Sequence, residues 1–101
     1  MKIYYMVEWD LPKGRERQED YWKYIKETMT PKTQKMDEEG FYKAMSFGDN
    51  TGHIIWVLEF EDADAFNKLW NDKEWHNMMS TYAHRVDNLS FRLGRPIIMP
   101  E

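Results

Sequence analysis

The chain has 101 residues, 42% of them hydrophobic and 16% aromatic, with no cysteine and a formal net charge of −4. That length supports one core rather than two, so a single domain over residues 1–101 is expected, and the apolar content excludes disorder. The acidic balance argues against nucleic acid and anionic membrane surfaces as partners, and the lack of cysteine excludes disulfides, thiolate nucleophiles and cysteine zinc sites.

In the first segment Ile3, Tyr5, Val7 and Trp9 alternate with Lys2, Tyr4, Met6 and Glu8, the period-two signature of a strand. Asp10, Pro12 and Gly14 end it. Glu8 and Asp10 interrupt the segment before a signal-like apolar run can form, and the longest such run, "IIWVL", is too short to cross a bilayer. A cytoplasmic protein is expected. The stretch "RERQEDYWKYIKETM" then places Gln18, Tyr21, Trp22, Ile25 and Met29 on one arc of an amphipathic helix. Thr30 and Pro31 predict a break there, with a kinked continuation through Met36 to about Glu39.

"GFYKAMSF" and "HIIWVLEFE" read as the second and third strands, joined by "GDNTG", whose composition suits a tight hairpin. Asp62 caps a helix with apolar positions Ala63, Phe66, Leu69 and Trp70. Asp72 caps a second segment carrying Trp75, Met78, Met79, Tyr82 and Val86. In "VDNLSFRL", Leu89, Phe91 and Leu93 alternate with Asn88, Ser90 and Arg92, and Gly94 and Pro96 end this last strand. The order β-α-β-β-α-β predicts an α+β, ferredoxin-like fold, with helices on one face of a four-stranded antiparallel sheet. The open face of such a sheet should be polar. Here Tyr4, Met6, Ile55 and Val57 make it apolar, which predicts that it is buried against a second copy of the chain.

This order, the mid-chain hairpin, the broken last helix and the two-faced sheet resemble the dimeric α+β barrel superfamily. Its members include antibiotic-biosynthesis monooxygenase-like, stress-responsive, polyketide-cyclase-like and haem-degrading proteins. The resemblance covers nearly the whole chain and is one of pattern and length. It implies a homodimer with paired sheets that binds a hydrophobic, aromatic small molecule between sheet and helices. The stretch "DADAFNKLWNDKEWHNMM" is similar to the helical segment such proteins use at that site. Trp70 could stand for the tryptophan of the haem-degrading members, but their first-strand asparagine is missing, and no cofactor is implied. The leading reading is a cofactor-independent monooxygenase. The alternatives are a non-catalytic ligand-binding or stress-related dimer, and a cyclase or isomerase. In the leading reading Trp22, Trp56, Trp70, Trp75 and Tyr82 surround the substrate, His76 is the base, and Arg92 or Tyr5 stabilises the developing oxyanion.

On a helical wheel with Trp75 at zero, His76 lies at about 100° and His84 at about 180°. His84 therefore points to solvent, while His76 borders the apolar stripe. Their spacing of about 12 Å along the helix, and the absence of an i, i+4 histidine pair, predict no metal site. His53 is a turn-edge residue. Glu59 either pairs with Arg92 or Lys43 or reaches water at its strand end. Ile97, Ile98 and Met99 of the tail are expected to lie on the partner chain or to close the pocket mouth.

Overall fold

The computed structural model describes residues 1–95, so the expectation for Ile97 to Glu101 lies outside the described residues. Strand β1 (Ile3–Asp10) leads into helix α1 (Arg15–Tyr24), a π-helical turn (Ile25–Met29) and helix α2 (Thr30–Glu39). Strands β2 (Lys43–Gly48) and β3 (His53–Phe60) follow, then helices α3 (Ala63–Trp70) and α4 (Lys73–Ala83), and finally strand β4 (Asp87–Gly94). The sheet is antiparallel with strand order β2-β3-β1-β4. This is the ferredoxin-like α+β fold, with every helix on one face. Among the described residues no helix is long and apolar enough to cross a membrane.

Alternation decides what each strand contributes. Tyr5, Val7 and Trp9 of β1 and Trp56, Leu58 and Phe60 of β3 are buried under the helices. Val7, Leu58 and Phe60 are fully sealed, and each such side chain contributes roughly 1.5–3 kcal/mol of transfer free energy. The helices return Tyr21, Met29, Met36, Phe66, Leu69, Trp75, Met78, Met79 and Tyr82 to the same core. Asp62 caps α3 by accepting from the Ala65 amide, and Asp72 caps α4 by accepting from the amides of Glu74 and Trp75, satisfying amides that have no intrahelical acceptor.

The first helix does not break at Thr30 and Pro31. Its irregularity falls one turn earlier, as the π-turn, where the Thr30 amide reaches back five residues to the Ile25 carbonyl. Proline lacks the amide for an i−4 bond and its ring crowds that carbonyl; a widened turn relieves the clash and lets the helix resume. Gly40, left-handed at φ 71°, ends α2.

Strand β2 differs from its neighbours. Paired with β3 in register, its Ala44, Ser46 and Gly48 face the helices, while Lys43, Met45 and Phe47 face the open side. Met45 and Phe47 are 59% and 53% exposed there, beside half-buried Tyr4, Met6, Ile55 and Val57. At the other edge, β4 carries an extra residue against β1 between Glu8 and Asp10. Asn88 takes the positive φ of 57° this bulge needs and donates to Asp10 at 2.7 Å.

Candidate functional site

Helix α4 lies over the middle of the sheet, where Trp75 packs on Trp56 at 5.6 Å between ring centroids. Its flank toward β4 carries, beside His76 and Met79, the small residues Ser80 and Ala83, which are too short to reach the edge strand. Phe91 and Leu93, on the helix side of β4, are therefore left 46% and 59% exposed. The result is a cleft of about 480 Å³ between α4, the end of α3 and strands β1 and β4, within the range of small-molecule sites. Tyr5 forms its base, Trp70 and Trp75 one wall, and Phe91 and Leu93 the other.

Tyr5 stacks on Phe91 at 5.9 Å and meets Trp70 and Trp75 edge-on at 6.4 and 6.5 Å. Burial pushes its phenol up to about 12, so it stays a hydrogen-bond donor at neutral pH. Among the described residues its hydroxyl has no hydrogen-bond partner. His76 stands edge-on to Trp70 at 4.8 Å, and its Nε2 lies 2.6 Å from the Trp70 carbonyl oxygen. A carbonyl only accepts, so Nε2 carries the proton and Nδ1 keeps the free lone pair. The last carbonyl of α3 thereby fixes the tautomer.

Four of the expected site residues, Tyr5, Trp70, Trp75 and His76, come together in this cleft. Arg92 touches only its rim. The pleat pairs it with Met6 on the open face, where its Nε is 3.7 Å from Glu8 Oε2, so its guanidinium is directed to Glu8 rather than to Tyr5. Tyr82 is sealed in the core with its hydroxyl 3.1 Å from that of Tyr21, which also accepts from the Trp9 indole. Trp56 backs Trp75 from below, and Trp22 is 56% exposed on the far side of the helix layer. These three do not line the cleft. Phe91, Leu93 and the small residues Ser80 and Ala83 do; their only signal in the sequence was a pair of short side chains on the flank of the last helix opposite apolar positions of an edge strand.

His84 is exposed at the end of α4. Glu59 accepts from Tyr4 at 3.0 Å and pairs with Lys2 at 3.5 Å, not with Arg92 or Lys43. His53 does more than edge a turn: Nδ1 faces Asp10 at 2.8 Å and Nε2 faces Glu8 at 3.1 Å. The hydrogen bonds to Asp10 and then Glu8 raise its pKa above the usual histidine value.

No family model and no curated protein sequence matches the chain. Solved structures do. The chain is similar to the cofactor-independent oxygenase SnoaB of Streptomyces nogalater, with TM-score 0.68 and 7% identity over 99% of this chain and 98% of that one. It is similar to an antibiotic biosynthesis monooxygenase, with TM-score 0.67 and 11% identity over 95% and 99% of the two chains. A dimeric ferredoxin-like protein from an uncultured marine organism superposes with TM-score 0.69 and 12% identity over 99% and 91%. At such identities the likeness is one of fold, the ferredoxin-like α+β fold that the order of elements predicts.

Proposed function

We propose that this chain forms a homodimer through its open sheet face and binds a hydrophobic, aromatic small molecule in the cleft beneath α4, with cofactor-independent monooxygenation as the reaction. The observation that carries the reading is the pairing, inside one aromatic cleft, of an unengaged tyrosine hydroxyl with a histidine of fixed tautomer. Flat rings stack well between Trp70 and Phe91. Nδ1 of His76 takes a proton from an acidic substrate position, and the Tyr5 hydroxyl donates to the oxygen on which negative charge then collects. Dioxygen reacts with that anion: a methylene becomes a carbonyl, one oxygen atom stays, and the other leaves as water with the two hydrogens. The fold likeness to an oxygenase and a monooxygenase supports this choice of chemistry.

Oxygen uptake by purified protein with a panel of fused-ring phenols tests the reading. Uptake that falls at least 10²-fold in His76→Ala, and clearly in Tyr5→Phe, is expected. Saturable binding with no uptake would leave a non-catalytic binder, and turnover without oxygen a cyclase or isomerase.

A further inference from the structure

A second concavity, of about 400 Å³, lies on the other half of the helix layer, between the α1–α2 helix and strands β2 and β3. The sequence of β2 creates it. Ala44, Ser46 and Gly48 are the residues this strand turns toward the helices, and none reaches far enough to meet the helix above. The π-turn sits over the trench through Ile25 and Met29, and such turns recur where a helix borders a functional site. Trp22, expected in the substrate pocket, stands instead at this trench, which Trp56 and Tyr42 also line.

Its electrostatics differ from those of the α4 cleft. Among the described residues Asp37 is the one charged side chain lining it, with Thr33 one turn away. The Tyr42 hydroxyl donates to Asp37 Oδ1 at 2.5 Å, leaving Oδ2 unengaged, and among the described residues no lysine, arginine or histidine pairs with this carboxylate. Among the described residues the α4 cleft has no acid in its lining. A carboxylate at the end of a trench of indole and phenol faces is the combination that holds an organic cation, because ring faces and carboxylate both attract positive charge while the rings accept the apolar body. We infer that this trench is a second binding site, specific for an aromatic or alkyl ammonium compound, with Asp37 as counter-ion and Trp22 as the stacking surface.

The inference stands apart from the reading of the α4 cleft, and one experiment separates them. Benzyltrimethylammonium and its uncharged carbon isostere, 3,3-dimethylbutylbenzene's shorter homologue neopentylbenzene, are titrated into ¹⁵N-labelled protein while the indole signals are followed. Saturable shifts of the Trp22 indole by the cation are expected, with affinity at least tenfold above that of the neutral compound. Asp37→Asn, which keeps an acceptor for Tyr42, and Trp22→Ala, at an exposed position, should each weaken cation binding at least tenfold with the amide fingerprint otherwise retained. Trp70→Ala, in the other cleft, should leave it unchanged. Equal binding of the two compounds, an unaltered affinity in Asp37→Asn, dependence on Trp70, or no saturable shift at millimolar cation would each overturn the assignment.

Discussion

The two faces of the sheet are built from the same four strands, yet they use apolar residues differently. On the helix face Tyr5, Val7, Trp9, Trp56, Leu58 and Phe60 are all buried within one chain. On the open face Tyr4, Met6, Ile55 and Val57 stay half-buried, and Met45 and Phe47 are mostly exposed. The first set has its partners already; the second is only partly covered in the isolated chain. A sheet that faces solvent permanently has no use for a methionine and a phenylalanine on its edge strand, because they template association. The helix face should therefore govern the stability of the protomer, and the open face the affinity between protomers.

Substitutions on the two faces can break that division. Trp75 is 1% exposed and rests on Trp56. Trp75→Ala should cost about 3–5 kcal/mol of unfolding free energy, read as a lowered denaturant midpoint against the wild-type chain at the same protein concentration. Val57→Lys, in the middle of the open face, should leave the unfolding of the isolated protomer within about 0.5 kcal/mol and raise the dimer dissociation constant by roughly 10²-fold or more, since it would leave an unpaired charge at the interface centre. Sedimentation velocity over a range of concentrations checks this. A wild-type chain that sediments as a monomer at high concentration would remove the open face as an interface, and a Val57→Lys protein as unstable as Trp75→Ala would remove the distinction between faces.

A smaller effect sharpens the picture of the helix layer. Asp72 accepts from two amides at the start of α4 and pairs with Lys32 of α2 at 2.5 Å. It is thus a cap and a tie between two helices. Asp72→Ala should cost about 1–2 kcal/mol, at the upper end of the range for caps. Asp62→Ala, whose side chain caps α3 by one bond, should cost less, at about 0.5–1 kcal/mol. Parallel urea titrations decide the order, and equal losses would mean that the Lys32 contact contributes nothing.

The elements were legible because each carries its period plainly, and both aspartate caps stand where the apolar patterns begin. The fold class follows from their order. The site was legible only in part. Trp70, Trp75 and His76 lie within one short stretch, so a correct helix assignment brings them together, whereas Tyr5 joins them through the pairing of β1 with β4. Arg92 illustrates the limit: alternation placed it opposite Phe91, but only the register shows that Phe91 lines the cleft, which turns Arg92 to the far face. Trp22 failed for a different reason. Its position on the apolar arc was real, but the strand beneath it presents Ala44 and Ser46, so the indole has no floor to pack on. Helical periodicity reports which residues prefer burial, and not whether a partner of the right size is present. The π-turn likewise has no periodic signal, since the proline that provokes it sits just beyond it.

The smallest effect belongs to the polar end of the open face. His53 sits between Asp10 and Glu8, with a carboxylate oxygen at each ring nitrogen, an arrangement that suits the imidazolium form. Its pKa is raised by the bond to Asp10 and then by that to Glu8, whereas that of Asp10 is lowered, first by Asn88 and then by His53. The two shifts act on opposite limbs of the stability curve. A raised histidine pKa contributes stability that is complete below its unfolded value, about 6.5, and is lost as pH rises through the folded value. A lowered aspartate pKa contributes stability present above about 3.8, lost as pH falls through the folded one. Stability should thus be greatest between these limits and decline on either side of them, and His53→Gln should flatten the alkaline decline while lowering the maximum, because Glu8 and Asp10 would then face each other without a cation between them. The His53 ring signals, followed by NMR against pH, provide the direct check: a midpoint at or below 6.5 would mean that the carboxylates do not hold the ring. If the open face is the dimer interface, the same titration should also appear in the dissociation constant, with the Val57→Lys monomer keeping the intramolecular part alone.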